Sequence, residues 1–315
     1  MVAAAVVTMR PGGRAEAPPA PHRGTFFAPD SVWNTPVPAD AELDATSDVV
    51  VRELARQAAA GATINVGSYS TPVYTVPADQ PTVTVRDIDD GFLNEPGPYS
   101  WGRVPLPPDA RGAAGEDRHL VVWQPSTDTM WEFWDLRITP DGPTARHGAR
   151  IPHVSTSPGT LPAPYGATAT GLPVIAGTVL AEDVARGRID HALALAIPEP
   201  RREWLTAPAT RTDGWSTRPE TPIEGSHFRL DPSVDIDSLG LHPFVAMLAH
   251  AAQDYGLILR DKAGGVVMFG EDPKGLDADP FDAALGGAEP SALMRSFPWD
   301  KLQLLKTDPV CCWTR

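Results

Sequence analysis

Short runs of strand-forming residues, interrupted every few positions by proline or glycine, constrain the fold of this chain most. The segment 63–87 shows the pattern, because its β-branched residues are repeatedly broken by Pro. Proline cannot donate to a strand ladder, so it ends a strand or confines it to an edge. The 35 Pro and 27 Gly are about a fifth of the 315 residues, below the roughly 25–30% of low-complexity chains. The pattern therefore predicts a folded, loop-rich β protein.

Paired apolar runs predict two β-hairpins. The runs 119–123 and 130–137 flank a short turn rich in Pro, Ser and Asp. The runs 257–261 and 266–269 flank a turn that contains two glycines and predict the second hairpin. A further run at 188–197, closed by a proline, predicts a single strand.

Helices are expected at three places. Residues 41–60 are acidic at their start, basic towards their end and followed by glycine. Residues 181–186 form a shorter helical segment that also precedes a glycine. Pro243 begins a third helix, which ends near Tyr255 and carries its apolar residues at helical spacing.

The order of these elements sets the expected fold class. Strands and helices do not alternate regularly, which argues against a doubly wound parallel sheet. We expect a mainly β protein with a few helices (α+β), built as a single antiparallel β-sandwich or jelly-roll-like domain with helices at its edges. This domain is expected to span residues 26–308. It would follow a signal-like or disordered segment, 1–25, and precede a C-terminal tail, 309–315.

Charge and hydropathy exclude several classes of partner. The 26 Lys and Arg stand against 40 Asp and Glu, so the formal net charge is −14, which disfavours a nucleic-acid backbone as partner. No apolar run approaches the ~20 residues of a membrane span. A short apolar run at 2–7, followed by an Ala-x-Ala-like site at 15–17, indicates a secreted or cell-surface protein, although no basic residue precedes it. We expect a monomer.

The common signatures of cofactor and metal sites are missing. The chain has no nucleophile elbow, phosphate-binding loop, dinucleotide fingerprint or zinc-protease motif. Its two cysteines are the adjacent Cys311 and Cys312, where a disulfide would close a strained ring, so free thiols or bridges between molecules are favoured. A metal site built from the histidines at 119, 147 and 153 with Asp117 matches no standard spacing. We expect no cofactor and no metal.

The second strand of the first hairpin places a carboxylate beside an indole. Alternation along 131–135 puts Glu132 and Trp134 on one face and Asp135 on the other. Aromatic faces stack on sugar rings, and a carboxylate next to apolar surface has a raised pKa and can act as an acid. The competing interpretation is a core tryptophan next to a Glu132 that is paired with an arginine.

A second carboxylate completes a possible glycoside hydrolase site. Glu224 lies in a loop that enters a strand, and Trp215 lies nine residues upstream. Glu132 and Glu224 would be the catalytic carboxylate pair, with Trp134 and Trp215 as sugar platforms. Asp135 and Arg229 are further candidate substrate ligands. The competing interpretation is a set of unrelated surface acids.

His191 supports an alternative, a polysaccharide lyase. The imidazole would act as general base, activated by a nearby carboxylate, with a tyrosine as the acid. The competing interpretation is a hydrogen-bonded core histidine. The candidate acids are Tyr165 and Tyr255, and the arginines that could neutralise a sugar carboxylate are Arg150, Arg211 and Arg229.

Four segments resemble a group of predicted secreted proteins that is common in actinomycetes. They cover residues 166–173, 187–193, 224–230 and 254–261. The resemblance extends over most of the chain after Phe26 and implies an exported single-domain protein. It transfers no site residue.

These observations together predict an exported glycoside hydrolase that cleaves a polysaccharide or oligosaccharide through two carboxylates. A lyase that uses a His/Tyr base–acid pair is the enzymatic alternative. A glycan-binding surface module without catalysis is the third.

Overall fold

The computed structural model of the protein describes residues 26–311, and within them the chain is mostly β with five helices, an α+β fold. The predicted signal-like segment, 1–25, lies outside the described residues. The helices are α1 (Ser47–Ala60), α2 (Ala181–Arg186), α3 (Pro243–Asp254), α4 (Pro280–Leu285) and α5 (Pro290–Met294). The strands are β1 (Ala62–Asn65), β2 (Thr71–Thr75), β3 (Arg86–Asp87), β4 (Leu120–Gln124), β5 (Thr129–Trp134), β6 (Arg137–Thr139), β7 (Gly142–Ala145), β8 (His147–Pro152), β9 (Leu193–Ile197), β10 (Trp204–Leu205), β11 (His227–Leu230), β12 (Leu257–Lys262), β13 (Val266–Phe269), β14 (Glu271–Asp272), β15 (Leu302–Leu304) and β16 (Val310–Cys311).

The largest sheet has six strands in the order β1-β13-β9-β12-β11-β15. The pairs β1–β13 and β9–β12 are parallel, and the other pairs are antiparallel. One face of this sheet is covered by helices, because Leu54 of α1 and Leu248 of α3 share a buried cluster with Leu195 and Leu259 of the central strands. Burying such a side chain contributes about 1.5–3 kcal/mol, so this cluster anchors the sheet.

A second sheet of five strands runs in the order β14-β2-β4-β5-β8. Its strands β14, β2 and β4 are parallel, whereas β4, β5 and β8 are antiparallel. It is buried on both faces: Val121 and Met130 share an apolar cluster with Ile258 of the first sheet, and Leu120 and Phe133 belong to another cluster. The two sheets therefore meet through the cluster that contains Ile258.

Two small sheets complete the fold. One joins β3, β7 and β6, and the other pairs β10 with β16. The pairing of Val310 with Leu205 means that the first residues of the predicted tail belong to a sheet. Cys311 is disulfide-bonded, so the expectation of a free thiol at this position was wrong. No helix among residues 26–311 is long and apolar enough to cross a membrane.

Local sequence signals located several elements correctly. The hairpin β4–β5 is confirmed, and so are α2 and α3, which end beside Gly187 and Tyr255. Helix α1 begins at Ser47, later than the predicted residue 41. The reason is that Leu43 forms a β-bridge with Leu305, which holds the preceding backbone extended.

Strand pairing differs from the prediction in two respects. The predicted hairpin of β12 and β13 is wrong, because β9 lies between them and pairs with both strands. All the larger sheets are mixed, so a purely antiparallel sandwich is not confirmed. The predicted strand 188–197 is also shorter than expected, since β9 begins at Leu193 and leaves His191 in the preceding loop.

Candidate functional site

A β-bulge at the end of β12 puts a cation and a carboxylate on one face of the six-stranded sheet. Leu259 pairs with Leu195 and Asp261 pairs with Ala196, so Arg260 is the extra residue. The guanidinium of Arg260 packs over the ring of Phe269 at 4.3 Å, on the side away from the helices. Asp261, in register with Ala196, faces the same side.

Arg260 is a buried cation, with 1% of its surface exposed. Its Nη1 donates hydrogen bonds to the carbonyl oxygens of Val174, at 2.5 Å, and Ala176, at 2.7 Å. Burial lowers its pKa to about 10, so it remains charged at neutral pH. Its Nε has no hydrogen-bond partner among the described residues. Arg260 thus supplies a fixed positive charge beneath the end of β12.

Three carboxyl groups, which we call the acidic cluster (Asp213, Glu224 and Asp261), meet beside this bulge. Burial raises the pKa of Asp261 to about 7, and the negative charge of Asp213 acts in the same direction. Burial also raises the pKa of Glu224 well above its ordinary value, again with a contribution from Asp213. Asp261 and Glu224 can therefore hold protons at neutral pH, which ordinary surface carboxylates do not.

Direct contacts join Asp213 to Lys262 and to Glu224. The Nζ of Lys262 lies 2.7 Å from the Asp213 carboxylate, and the Asp213 amide donates a 3.0 Å hydrogen bond to Oε2 of Glu224. Glu224 is fully buried, whereas Asp213 and Asp261 are only partly buried. Oδ1 of Asp213 and Oε1 of Glu224 are buried without a hydrogen-bond partner among the described residues. Unsatisfied buried polar atoms are rare and call for a functional or solvent explanation.

Glu132, the first predicted catalytic carboxylate, shares a partner residue with Arg260, since both side chains form hydrogen bonds with the backbone of Val174. It is fully buried on β5, and its oxygens accept hydrogen bonds from the amides of Ala167 (2.6 Å) and Val174 (2.8 Å). Burial raises its pKa to about 7, and the charge of Arg260 opposes the rise. Both oxygens of Glu132 are therefore used to hold the backbone of the segment 166–176.

Arg211 supports the same segment from another direction. Its Nη2 donates to the carbonyl oxygens of Gly166, at 2.8 Å, and Thr168, at 2.7 Å. A buried, irregular segment needs such partners, because its peptide groups have no strand or helix to satisfy them. Arg211, Arg260 and Glu132 therefore hold the segment in place.

The two predicted sugar platforms lie in different environments. Trp215 is 56% exposed, and its Nε1 donates to the carbonyl oxygen of Pro198 just after β9. Ile197, the last residue of β9, pairs with Lys262, so Trp215 lies at the same sheet edge as the acidic cluster. Trp134 is half-buried, and its Nε1 donates to Oδ1 of Asp117 at 3.1 Å.

The remaining predicted substrate ligands are occupied by other contacts. Asp135 is buried, and its carboxylate joins loops next to the second sheet. It accepts hydrogen bonds from three arginines, Arg118, Arg137 and Arg146. Arg229 is buried as well, and donates to Gln303 and to the carbonyl oxygens of Pro38 and Ala39. Neither side chain contacts the acidic cluster.

His191 lies apart from these residues. His191 precedes the first residue of β9, whereas Asp261 pairs with Ala196 near the end of that strand. About 15 Å of strand therefore separates His191 from Asp261. Its ring nitrogens lie 3.2 Å from Oδ2 of Asp183 and 2.8 Å from the Ala192 carbonyl oxygen. Although burial acts in the opposite direction, the carboxylate of Asp183 raises the pKa of His191. Both nitrogens face acceptors, an arrangement that favours the imidazolium over a free base.

A second histidine lies among aromatic rings on the other sheet. The ring of Phe92 lies 5.5 Å from that of His147 and 5.6 Å from that of Tyr165, and all three are half-buried. Burial lowers the pKa of His147, and the charge of Arg211 adds to this effect. Its Nε2 lies 2.7 Å from the carbonyl oxygen of Pro164 and 3.3 Å from Nη1 of Arg211, so an acceptor and a donor both face this nitrogen.

Sequence reasoning missed Asp213, Asp261 and Lys262. The sequence pattern predicts a hairpin in which Asp261 ends the first strand and Lys262 begins the turn, so it gives neither residue a role in a site. The adjacent charges Arg260 and Asp261 in an otherwise apolar strand were the available signal, since buried charges need partners. Among the described residues, no group of three His, Cys, Asp or Glu side chains has an arrangement that could hold a metal ion.

Comparisons with known proteins place the chain in no family: no protein-family model matches it, and neither the curated proteins nor the solved structures contain a significant match.

Proposed function

We propose that this protein is a glycoside hydrolase whose acidic cluster cleaves the glycosidic bond, with Asp261 as the general acid. The observation that carries the proposal is the position of Asp261, a partly accessible carboxyl group at the end of β12, next to Lys262 and its ion-pair partner Asp213. Burial raises the pKa of Asp261 to about 7. An acid catalyst works best when its pKa lies near the working pH. Two neighbouring carboxyl groups in different protonation states are the usual chemistry of glycoside hydrolysis.

Asp213 is the natural partner carboxylate. Its carboxylate forms an ion pair with Lys262 and is partly exposed, so it is placed to act as nucleophile or base. Asp261 would then donate its proton to the leaving oxygen as the glycosidic bond breaks. The pair differs from the one expected from the sequence, because Glu132 and Glu224 are both fully buried and cannot touch a sugar in this arrangement.

Trp215 supports a carbohydrate as the substrate. Exposed tryptophans are uncommon, and this indole lies at the sheet edge where the acidic cluster is found. The apolar face of a sugar ring can stack on it while the glycosidic oxygen approaches Asp261. Residues that bind substrates are often placed where strands end, on loops held by a rigid sheet.

The test is the release of reducing ends from a panel of neutral, amino and acidic oligosaccharides by the purified protein. Asp261→Asn should lower kcat by about 10²–10⁴-fold, the usual contribution of a general acid. Asp79→Asn, which changes an exposed carboxylate in a distant loop, is the matched control and should have wild-type activity. Equal activity of wild type and Asp261→Asn on every cleaved substrate would refute the assignment. Binding without release of reducing ends would instead favour a glycan-binding module.

One observation favours a second candidate, a polysaccharide lyase centred on His147 rather than His191. A general base must be uncharged before it accepts a proton. Burial lowers the pKa of His147, which favours the neutral imidazole. Tyr165 follows in the same row of rings and could supply the acid, and Arg211 adds positive charge beside the histidine.

The two candidates give different products. A lyase forms an unsaturated sugar that absorbs ultraviolet light, whereas a hydrolase adds water and forms no such chromophore. Ultraviolet-absorbing products that vanish in His147→Gln but persist in Asp261→Asn would select the lyase. Products without ultraviolet absorbance that vanish in Asp261→Asn but persist in His147→Gln would select the hydrolase.

A further inference from the structure

Glu224 has contacts that a charged catalytic carboxylate would not have. Its side chain is fully buried, and no basic side chain among the described residues forms an ion pair with it. Its Oε2 accepts the backbone amide of Asp213, and the side chain of Thr212 is a further hydrogen-bond partner, which lowers the pKa of Glu224 but is outweighed by burial and the charge of Asp213. The titratable groups nearest to it are acids: Asp213 in the preceding loop and Asp261 on β12. A buried carboxylate surrounded in this way is strongly disfavoured, because both desolvation and like charge oppose ionisation.

Two unsatisfied atoms lie on the two residues that this hydrogen bond joins. Oε1 of Glu224 and Oδ1 of Asp213 are both buried and both lack a donor among the described residues. If both groups were ionised, these would be two unpaired acceptors in the same small region. One proton on Glu224 turns an acceptor into a donor and can satisfy both atoms at once. Lys262 already occupies the other oxygen of Asp213.

We infer that Glu224 is a positioning residue that remains a neutral carboxylic acid and donates its proton to the carboxylate of Asp213. In this role Glu224 orients Oδ1 of the Asp213 carboxylate, while the ion pair with Lys262 orients Oδ2. Asp213 then presents a fixed carboxylate to the substrate, and Glu224 itself never touches the sugar. This inference rests on the proposed function for its catalytic consequence, but the protonation of Glu224 can be tested without any activity.

The first test is infrared spectroscopy of the full-length protein at pH 7. The spectrum of wild type minus Glu224→Gln should contain the C=O band of a protonated carboxylic acid. Absence of that band, with a carboxylate band in its place, would overturn the inference. Asp79→Asn, which changes an exposed side chain, is the matched control.

The second test compares thermal unfolding of wild type and Glu224→Gln between pH 4 and pH 8. A carboxyl group with a raised pKa in the folded state binds its proton more tightly than the unfolded chain does. The stability that it provides is therefore lost as the pH rises above the unfolded value of 4.5. The Tm of wild type relative to the variant should fall over this range. A relative Tm that rises instead would overturn the inference.

The third test separates positioning from catalysis. Glu224→Gln keeps a donor next to Asp213, whereas Glu224→Met removes it. Glu224→Met should lower kcat by about tenfold, as expected when a buried acceptor loses its donor, and Glu224→Gln should restore most of that loss. If Glu224→Gln is as inactive as Asp261→Asn but equally stable, Glu224 acts as a charged catalyst and the inference is wrong. If the wild type cleaves no sugar, the first two tests still decide the protonation of Glu224 while the proposed function fails.

Discussion

The ammonium group of Lys262 lies 2.7 Å from the carboxylate of Asp213, which joins the end of β12 to the loop between β10 and β11. This contact fixes the position of Asp213. Among the described residues, Asp213 is the only member of the acidic cluster that forms an ion pair with a basic side chain. Lys262 is 38% exposed, so water screens part of the attraction. The ion pair therefore matters more for the placement of Asp213 than for the stability of the fold.

Removal of this ion pair should affect catalysis more than folding. Lys262→Met should lower kcat by about tenfold or more, because an electrostatic contact at the reacting groups is lost. The free energy of unfolding should fall by less than about 1 kcal/mol, the usual range for an exposed ion pair. Steady-state kinetics and urea unfolding measure the two effects. Lys262→Arg keeps the charge and is the matched control; a large loss of stability in Lys262→Met would contradict this division of roles.

The activity should depend on pH through Asp261. As a general acid it must be protonated, so kcat/KM should decline about tenfold per pH unit above a pKa of about 7. The same raised pKa has a consequence for stability, since between pH 3.8 and about 7 the folded protein holds a proton that the unfolded chain has released. The contribution of Asp261 to stability therefore falls as the pH rises through this range. A pH–rate profile that is flat from pH 6 to pH 9 would argue against Asp261 as the acid.

Trp215 should contribute to substrate binding and little to folding. Its indole is mostly exposed and makes one hydrogen bond, so Trp215→Ala should change the free energy of unfolding by about 0.5 kcal/mol or less. Loss of a stacking contact worth about 0.5–1.5 kcal/mol should raise KM by roughly 2- to 12-fold with little change in kcat. Trp215→Phe retains an aromatic face and should show a smaller effect. An unchanged KM in the alanine variant would remove Trp215 from the site.

Glu132 should be required for folding rather than for the chemical step. Glutamine in its place has only one acceptor oxygen for the two amides of Ala167 and Val174, so one buried donor loses its partner. Glu132→Gln should therefore lower the free energy of unfolding by about 1–3 kcal/mol. Thermal or urea unfolding measures this, with the exposed Glu116→Gln as control. A fully stable but inactive Glu132→Gln would restore the catalytic role that the sequence indicates.

A separate ion-pair network should make the protein sensitive to acid. Glu53 of α1 is buried and accepts hydrogen bonds from Arg56 and, at 2.6 Å, from Arg218 of the loop that carries Trp215. Hydrogen bonding to Arg56 is the main cause that lowers the pKa of Glu53 to about 2. The stability that this group provides is therefore present above pH 4.5 and is lost as the pH falls towards 2.

The measurement for this network is unfolding of wild type and Glu53→Gln at several pH values. The variant should be less stable by about 1.5–3 kcal/mol at pH 7, the range for hydrogen bonds to charged groups. The difference should shrink steadily between pH 4.5 and pH 2. Glu42→Gln, which removes an exposed ion pair with Lys306, is the control and should leave the free energy of unfolding nearly unchanged. A pH-independent difference would show that charge at Glu53 does not matter.

Some elements follow from local sequence because their determinants are local. The hairpin β4–β5 needs only two apolar runs and a short turn, and α2 ends where Gly187 adopts a left-handed conformation, with φ of 66°. Helix α3 begins at Pro243 because a missing amide hydrogen costs nothing in the first turn. Patterns of this kind extend over a few residues, so tertiary packing rarely overrides them.

Partners that are distant in sequence depend on the tertiary structure alone. The apolar pattern of β12 and β13 identifies both strands but says nothing about β9, which lies between them and comes some 60 residues earlier in the chain. The same holds for the site: whether a carboxylate is an ordinary surface acid or a proton donor at neutral pH depends on its burial and on the charges around it. The sequence alone predicted a mainly β fold with a few helices, and its composition showed an acidic protein with several tryptophans. Only the tertiary structure brought Asp213, Glu224 and Asp261 together, because desolvation and like-charge repulsion act through space and leave no periodic signal along the chain.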